Sequence, residues 1–456
     1  MKPLLGECLV FSGLAGVLLL PALGLDAQSQ VSSAPTNQTE LVYAIDLPTV
    51  LRLANAQNID IQIARQRFAE AKAVYEGTLM QFLPWLAPGL SVARHENLIQ
   101  DVTGNIIDVH KESYRPGLSF DARVDLGDAI YNSLAARQSV RAAGHGVEVQ
   151  RQDSVLTAVQ SYFDLAKAQA QVEVAKEAQR VAMSLERQLG NAVEAGIGYK
   201  GDALRAKTQT GQIELSLRHA VELQRTTGAR LAEVLHLDPA VELIAREAEL
   251  LPLSLIATNV ALGSLIEEAQ VKRPELRQIH ALISAAVSAQ NGSIVGPLIP
   301  SLGGQAYLGG LGGGMDHGPS RFGQSEDYSA FLFWRIGPGG LFDFSRIHLT
   351  KSRLESLKLG EKRIHDGITR QVVESFTRFR SLSDQLATVK RTLETAVEAE
   401  KLAEQRKESA VGAVLEDIQT QQDLTRARND FVNVVVEFNK AQYALQSAVG
   451  SNLTRN

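Results

Sequence analysis

The sequence predicts a mainly α-helical chain with a small share of membrane β-strand, built twice on one plan of long-helix hairpins. Three observations carry this. Landmarks recur at an offset of about 215 residues. Two proline-free stretches are long, and one shows an apolar seam every seven residues. A short segment alternates apolar and polar residues without a fault.

Lys2 opens a short charged region, and Leu9 to Leu25 is mostly apolar. Small residues around Gly24 and Ala27 suit cleavage, so 1–27 reads as a secretory signal peptide. The only cysteine, Cys8, would leave with it, which removes disulfides, thiol catalysis and thiolate metal sites from the exported chain. Residues 28–44 are polar at first and read as a flexible lead-in.

The repeat follows. Leu47-Pro-Thr-Val-Leu-Arg-Leu-Ala54 is echoed by Leu262-Gly-Ser-Leu-Ile-Glu-Glu-Ala269, and Phe82-Leu-Pro84 by Leu298-Ile-Pro300. Gly198-Tyr-Lys-Gly-Asp202 stands opposite Gly412-Ala-Val-Leu-Glu416. A period this long is a duplicated half, not a solenoid unit. The halves span 45–260 and 261–450, with a tail at 451–456. Each begins with a helix of about 35 residues (46–82 and 261–292) and continues into an extended region (85–126 and 298–341). A very long helix comes next (128–195 and 343–408), then a glycine turn (196–202 and 409–416) and a last helix (202–236 and 414–449).

Val372, Phe379, Leu386 and Leu393 recur every seven residues, with Leu382, Val389 and Ala396 three positions on. This is an a/d seam, which packs helix against helix. At ~1.5 Å rise per residue, such a stretch makes a rod of about 100 Å. A rod of that length needs other rods beside it.

In the extended region, Leu118, Phe120, Ala122, Val124 and Leu126 alternate with Ser119, Asp121, Arg123 and Asp125. Roughly nine to eleven residues of such alternation suit a tilted strand crossing a bilayer. A half-buried strand in a soluble sheet alternates identically. Gly89–Ile99, Leu302–Leu308 and Tyr328–Ile336 supply partner strands, with Trp85, Tyr114, Phe331, Phe333 and Trp334 as interfacial aromatics. Four strands cannot close a membrane barrel, whose smallest known form has about eight. Open edges in hydrocarbon leave backbone groups unpaired at several kcal/mol each. Strands of this kind in a membrane therefore require several chains.

The order of elements resembles the TolC-like outer-membrane efflux protein family over roughly 40–450. The most telling segments are Glu194-Ala-Gly-Ile-Gly198-Tyr-Lys-Gly-Asp202-Ala-Leu204, Gly412-Ala-Val-Leu-Glu416-Asp-Ile418, and Gly340-Leu-Phe-Asp343-Phe-Ser-Arg346. The last is similar to the family's strand-to-helix turn, with Phe344 and Ser345 where the family has two glycines. The resemblance implies a homotrimer in the outer membrane, with about twelve pooled strands in one β-barrel and the helices in a periplasmic α-barrel. It implies a periplasmic adaptor protein and an inner-membrane transporter as partners, outer-membrane lipid around the strands, and no chemistry of its own. It also implies a pore constriction at the tip, with Asp202 and Glu416 at the acidic positions and Gly196, Gly198 and Gly412 in the turns. Where a second acid often follows, this chain has Arg205 and Gln419. Both acids also fit a helix's first turn, where carboxylates favour the positive dipole end.

The net charge of −5 offers no footprint for nucleic acid. The nine histidines show no zinc spacing, so no metal or cofactor is expected. Gly309–Gly318 lacks the Lys-Ser/Thr of a phosphate loop and reads as a flexible hairpin tip, and no serine has a nucleophile-elbow context. An enzyme is not expected. The rival reading is a soluble periplasmic coiled-coil adaptor or scaffold using the same heptads without a pore.

Overall fold

A computed structural model describes residues 42–83, 85–238, 241–246, 250–257, 260–315, 321–408, 414–451 and 453. The signal peptide expected at 1–27, its Cys8, and Gly412 lie outside the described residues.

The chain opens with β1 (Val42–Ile45), α1 (Leu47–Ala56), α2 (Ile59–Met80), β2 (Trp85–His95), β3 (Leu98–Gln100), β4 (Ile106–Asp108) and β5 (Lys111–Val124). The long α3 (Leu126–Glu194), then α4 (Lys200–Leu235) and β6 (Glu242–Ala245), follow. The plan then recurs as α5 (Leu262–Lys272), α6 (Pro274–Ile294), a 3-10 turn at Gly296–Leu298, β7 (Ser301–Met315), β8 (Arg321–Phe333), α7 (Phe344–Glu408) and α8 (Val414–Val449).

Each single opening helix read from the sequence is a pair in the structure. Asn58 ends the first, because its buried side chain accepts from Asp60 N and Ile61 N at 2.9 and 3.2 Å and caps a new helix. Such a cap stabilises by about 1 kcal/mol. Its amide also donates to Val234 O at 3.3 Å, which ties the break to α4. In the second half Pro274 forces the break, since proline pushes the preceding Arg273 out of helical geometry into φ −62°, ψ 125°.

Residues 42–44 are not part of a flexible lead-in. β1 pairs in parallel with β6, and Ile45 is buried against Leu243 and Ala245 in the same apolar cluster. The tail is anchored too, because Leu453 lies in that cluster. Nothing local in either segment signals this, since the partner strand lies some 200 residues away.

The heptad seam is real. Val372, Phe379 and Leu382 are buried, and Phe379 stacks on Phe438 of α8 with centroids 5.6 Å apart. Leu386, Leu393, Val389 and Ala396 are half-buried further along α7. The linker after β6 is held by two buried amides of α8. Asn439 accepts from Leu253 N at 2.8 Å and donates to Leu251 O at 3.0 Å. Gln442 repeats the pattern with Leu255 N at 2.8 Å and Leu253 O at 2.9 Å. Buried amides satisfied at both ends hold a strand-like segment without a sheet.

β2, β5, β7 and β8 form one antiparallel sheet in that order, with β2 and β8 as free edges. β7 runs to Met315, so the glycine-rich stretch from Gly309 is strand as far as it is described, not a flexible tip. The glycines make room for rings: a Cβ on Gly310 would run into Phe322, and one on Gly312 into Tyr114. β3 and β4 form a separate hairpin that the sequence reading missed. Asp101 stiffens its turn by accepting from Thr103 N at 3.0 Å and Asn105 N at 2.8 Å.

Candidate functional site

Two regions carry the residues singled out in the sequence: the four-stranded sheet and the turns at the far ends of the long helices.

The register of the sheet sorts its side chains by face. Leu118 is opposite Leu308, Phe120 opposite Ala306, Ala122 opposite Gly304, and Val124 opposite Leu302. On β8 the same face carries Leu332, Ala330, Tyr328 and Phe322, and on β2 Leu90 and Val92. This face is largely apolar and open, with Val92 73% and Leu332 53% exposed. Two carboxylates interrupt it. Glu112 pairs with Arg94 at 2.8 Å, and Glu326 accepts from Tyr328 Oη at 3.2 Å and from Gln324 Nε2 at 2.5 Å. Leu126 does not belong to the strand, since β5 ends at Val124 and Leu126 is the first residue of α3. The alternation continues past the strand end because a helix's first turn can satisfy it by chance.

The opposite face carries Ser119, Asp121 and Arg123 of β5 with Gln305 and Tyr307 of β7. Phe331 and Phe333 stand on this polar face, with the Arg123 guanidinium 5.0 Å from the Phe333 centroid. They therefore do not form a girdle with Tyr114, which stacks on Phe322 on the apolar face at 6.0 Å. Trp334, just past β8, is half-exposed and donates its indole N–H to Leu298 O at 3.1 Å.

Strands turn into long helices through a charged joint. Asp125 accepts from Ser301 Oγ at 2.6 Å and Arg335 Nη2 at 2.9 Å. Burial pushes its carboxyl up, but the Ser301 hydroxyl and Arg335 outweigh it and hold the group below its ordinary range. Asp343 accepts from Gly339 N at 2.8 Å and Arg346 N at 3.0 Å, and these backbone bonds lower its pKa as well. Arg346 reaches Asp128 of α3 at 2.6 Å, and a Cβ on Gly127 would fall on the Gly296 backbone. Both carboxylates are lowered in the folded state, so their contribution is complete above about pH 4 and is lost as pH falls through the folded values. The melting temperature, followed by circular dichroism, is expected to drop on acidification below about pH 4. In Asp343→Asn part of that drop should vanish; an identical pH profile would remove Asp343 from the account.

At the other end, α3 ends at Glu194 and α4 begins at Lys200. Gly196 takes φ +76°, which favours glycine, and Gly198 N donates to Ala192 O at 2.9 Å. A Cβ on Gly198 would come within 2.8 Å of the Ala192–Val193 peptide, so this turn needs both glycines. Asp202 lies in the first turn of α4, 3.5 Å from Arg205. Glu416 lies in the first turn of α8 and accepts from Arg406 of α7 at 2.6 Å. Both acids thus have arginine partners, and the Arg406 pair could not be read from spacing because it crosses the turn. Leu185, Ala206 and Ile418 form one apolar cluster, which sets α4 beside α8 just behind the two acids. Behind that cluster, α3, α4 and α8 enclose a cleft of about 400 Å³ lined by glutamines such as Gln209, Gln212 and Gln421.

No family model matches the chain. Among curated proteins it is 25% identical over 323 residues to Protein CyaE of Bordetella pertussis. That alignment covers 69% of this chain and 66% of CyaE, just under two thirds of the relative's length. Solved structures agree over far more of it. The Campylobacter jejuni CmeC outer membrane channel superposes with a TM-score of 0.76 at 16% identity, covering 89% of this chain and 85% of CmeC. The outer membrane protein VceC of Vibrio cholerae gives 0.71 at 16% identity, over 89% and 96% of the two chains. The open-state MtrE outer membrane channel of Neisseria gonorrhoeae gives 0.70 at 16%, over 90% of each. With its duplicated helix hairpins and its four-stranded sheet, the chain has the fold of the TolC-like outer-membrane channels.

Proposed function

We propose that three copies of this chain assemble into an outer-membrane duct for efflux or type I-like secretion. A periplasmic adaptor and an inner-membrane transporter would work with it. The observation that carries this reading is the sheet: one largely apolar face, two unpaired edges, and long helices leaving from one end. An apolar face this open must be covered, and lipid covers it without further partners. Free edges in hydrocarbon must be paired, and further copies pair them. The helices then extend the duct about 100 Å into the periplasm. CmeC and MtrE, two of the solved structures that share this fold, are outer membrane channels, which favours transport over catalysis.

The reading is tested by membrane fractionation. The expected result is an outer-membrane protein that runs as a trimer in mild detergent, collapses to monomer on heating, and conducts ions in planar bilayers. A stable monomer in water without detergent would favour the soluble adaptor instead.

Within the duct, Asp202 and Glu416 are assigned to the narrowest part, with Gly196, Gly198 and Gly412 shaping the turns. Like charges ringing a constriction raise the local cation concentration. Asp202→Ala with Glu416→Ala is expected to lower the cation-to-anion permeability ratio by roughly twofold or more. Arg406→Ala frees Glu416 from its partner and should move the ratio the other way. Equal ratios in all three proteins would place the constriction elsewhere.

A further inference from the structure

The polar face of the sheet has its own charge pattern. Among the described residues of its four strands, Lys111, Arg115, Arg123 and Arg321 stand on it against the carboxylates Asp121 and Asp327. Two of the arginines hold the guanidinium over an aromatic ring. Arg115 is 4.2 Å from the Tyr307 centroid and also pairs with Asp327. Tyr307 is fixed in turn: its hydroxyl donates within reach of Pro116 O at 3.0 Å and Gly310 O at 2.9 Å. Its ring occupies space left by Gly117 and Gly309, where a Cβ would come within 2.7 and 2.6 Å of the hydroxyl.

Arg123 is stacked on Phe333, and its carboxylate contact is longer, 3.7 Å to Asp125. Asp125 is already engaged by Ser301 and Arg335. A guanidinium resting on a ring keeps its full charge and its in-plane N–H donors, but loses freedom to swing away. That is how a protein holds a cation in a fixed place without neutralising it. When the apolar face meets lipid, this face lines the bore, and each stack is repeated by every copy around the axis.

We propose that the strand-lined bore is an anion-preferring filter, opposite in sign to the acidic helical tip, with Arg123 on Phe333 as its principal charge ring. Cargo bearing carboxylate or phosphate groups is the class it recognises, because the planar guanidinium edge matches those anions. The inference rests on the duct reading above.

The test is single-channel recording in a salt gradient, on trimers carrying Asp202→Ala and Glu416→Ala so that the tip does not set the reversal potential. Arg123→Gln should shift the reversal potential toward cations and weaken block by inorganic tripolyphosphate about tenfold. Arg123→Lys keeps the charge and should retain most of the selectivity, with weaker block. Ser329→Asp adds a carboxylate to the same face at a residue that belongs to neither stack, and should shift the potential as Arg123→Gln does. This keeps the proposal testable if Arg123→Gln fails to assemble. Open channels whose reversal potential and block are unchanged in Arg123→Gln, or in Ser329→Asp if that alone assembles, overturn the filter and leave the duct standing. A parent protein that forms no channels overturns the duct itself.

Discussion

Arg273→Ala is expected to destabilise the helical body by roughly 3–5 kcal/mol, the largest single-residue effect in the molecule. Arg273 occupies the break between α5 and α6 and is only 8% exposed. Its Nη1 donates to Ser447 O at 3.0 Å, its Nη2 to Gln371 Oε1 at 3.0 Å and its Nε to Glu275 Oε2 at 2.9 Å. One buried cation thus joins four helices and sits on the last carbonyls of α8, where the dipole favours positive charge. Truncation leaves those carbonyls and the Glu275 carboxylate without their partner, and an uncompensated buried charge is what makes breaking such a pair costly. Glu275→Gln removes only one of the partners and should cost about 1 kcal/mol. Urea unfolding followed by circular dichroism at the helical minimum separates the two. A midpoint for Arg273→Ala equal to the parent's would show that the joint is held by apolar packing alone.

Leu118→Arg comes second. Leu118 stands six residues, roughly 20 Å, along the strand from its end at Val124. At a tilt of about 40° that is roughly 15 Å of height, near the middle of a ~25 Å apolar band. An arginine there should cost roughly 2–4 kcal/mol. Ala122, which the sequence pattern alone offers as an equivalent site, lies close to the strand end beside the charged joint. Arginine at Ala122 can reach the interface and should cost about 1 kcal/mol. The trimer recovered from membranes in mild detergent should therefore fall sharply for Leu118→Arg and mildly for Ala122→Arg. Equal recovery for both would mean that this face does not contact lipid.

The contrast between these two sites marks the boundary of what pattern can reveal. Alternation along β5 identifies which residues share a face, since the period of a strand is two. It says nothing of depth, and it continues two residues too far, through Asp125 into Leu126. The same holds for Phe331 and Phe333, which qualify as girdle aromatics by composition and stand beside Arg123 by register. At the tip, Asp202 and Glu416 are legible as first-turn acids from the glycines before them. Arg406, ten residues before Glu416, is not.

What the sequence determined by itself is local and periodic. Heptads specify the second long helix and its packing seam, Gly196 and Gly198 the turn after the first, Pro274 and Asn58 the helix breaks once read as such, and the repeat the order of elements. Each depends on interactions within a few residues, where period and backbone preference are strong. The tertiary structure alone decided the parallel pairing of β1 with β6, the strand nature of the glycine-rich stretch, the Arg273 joint and the arginines laid on Tyr307 and Phe333. These contacts join residues remote in sequence, and their free energy comes from burial and pairing that exist only after the two halves have come together.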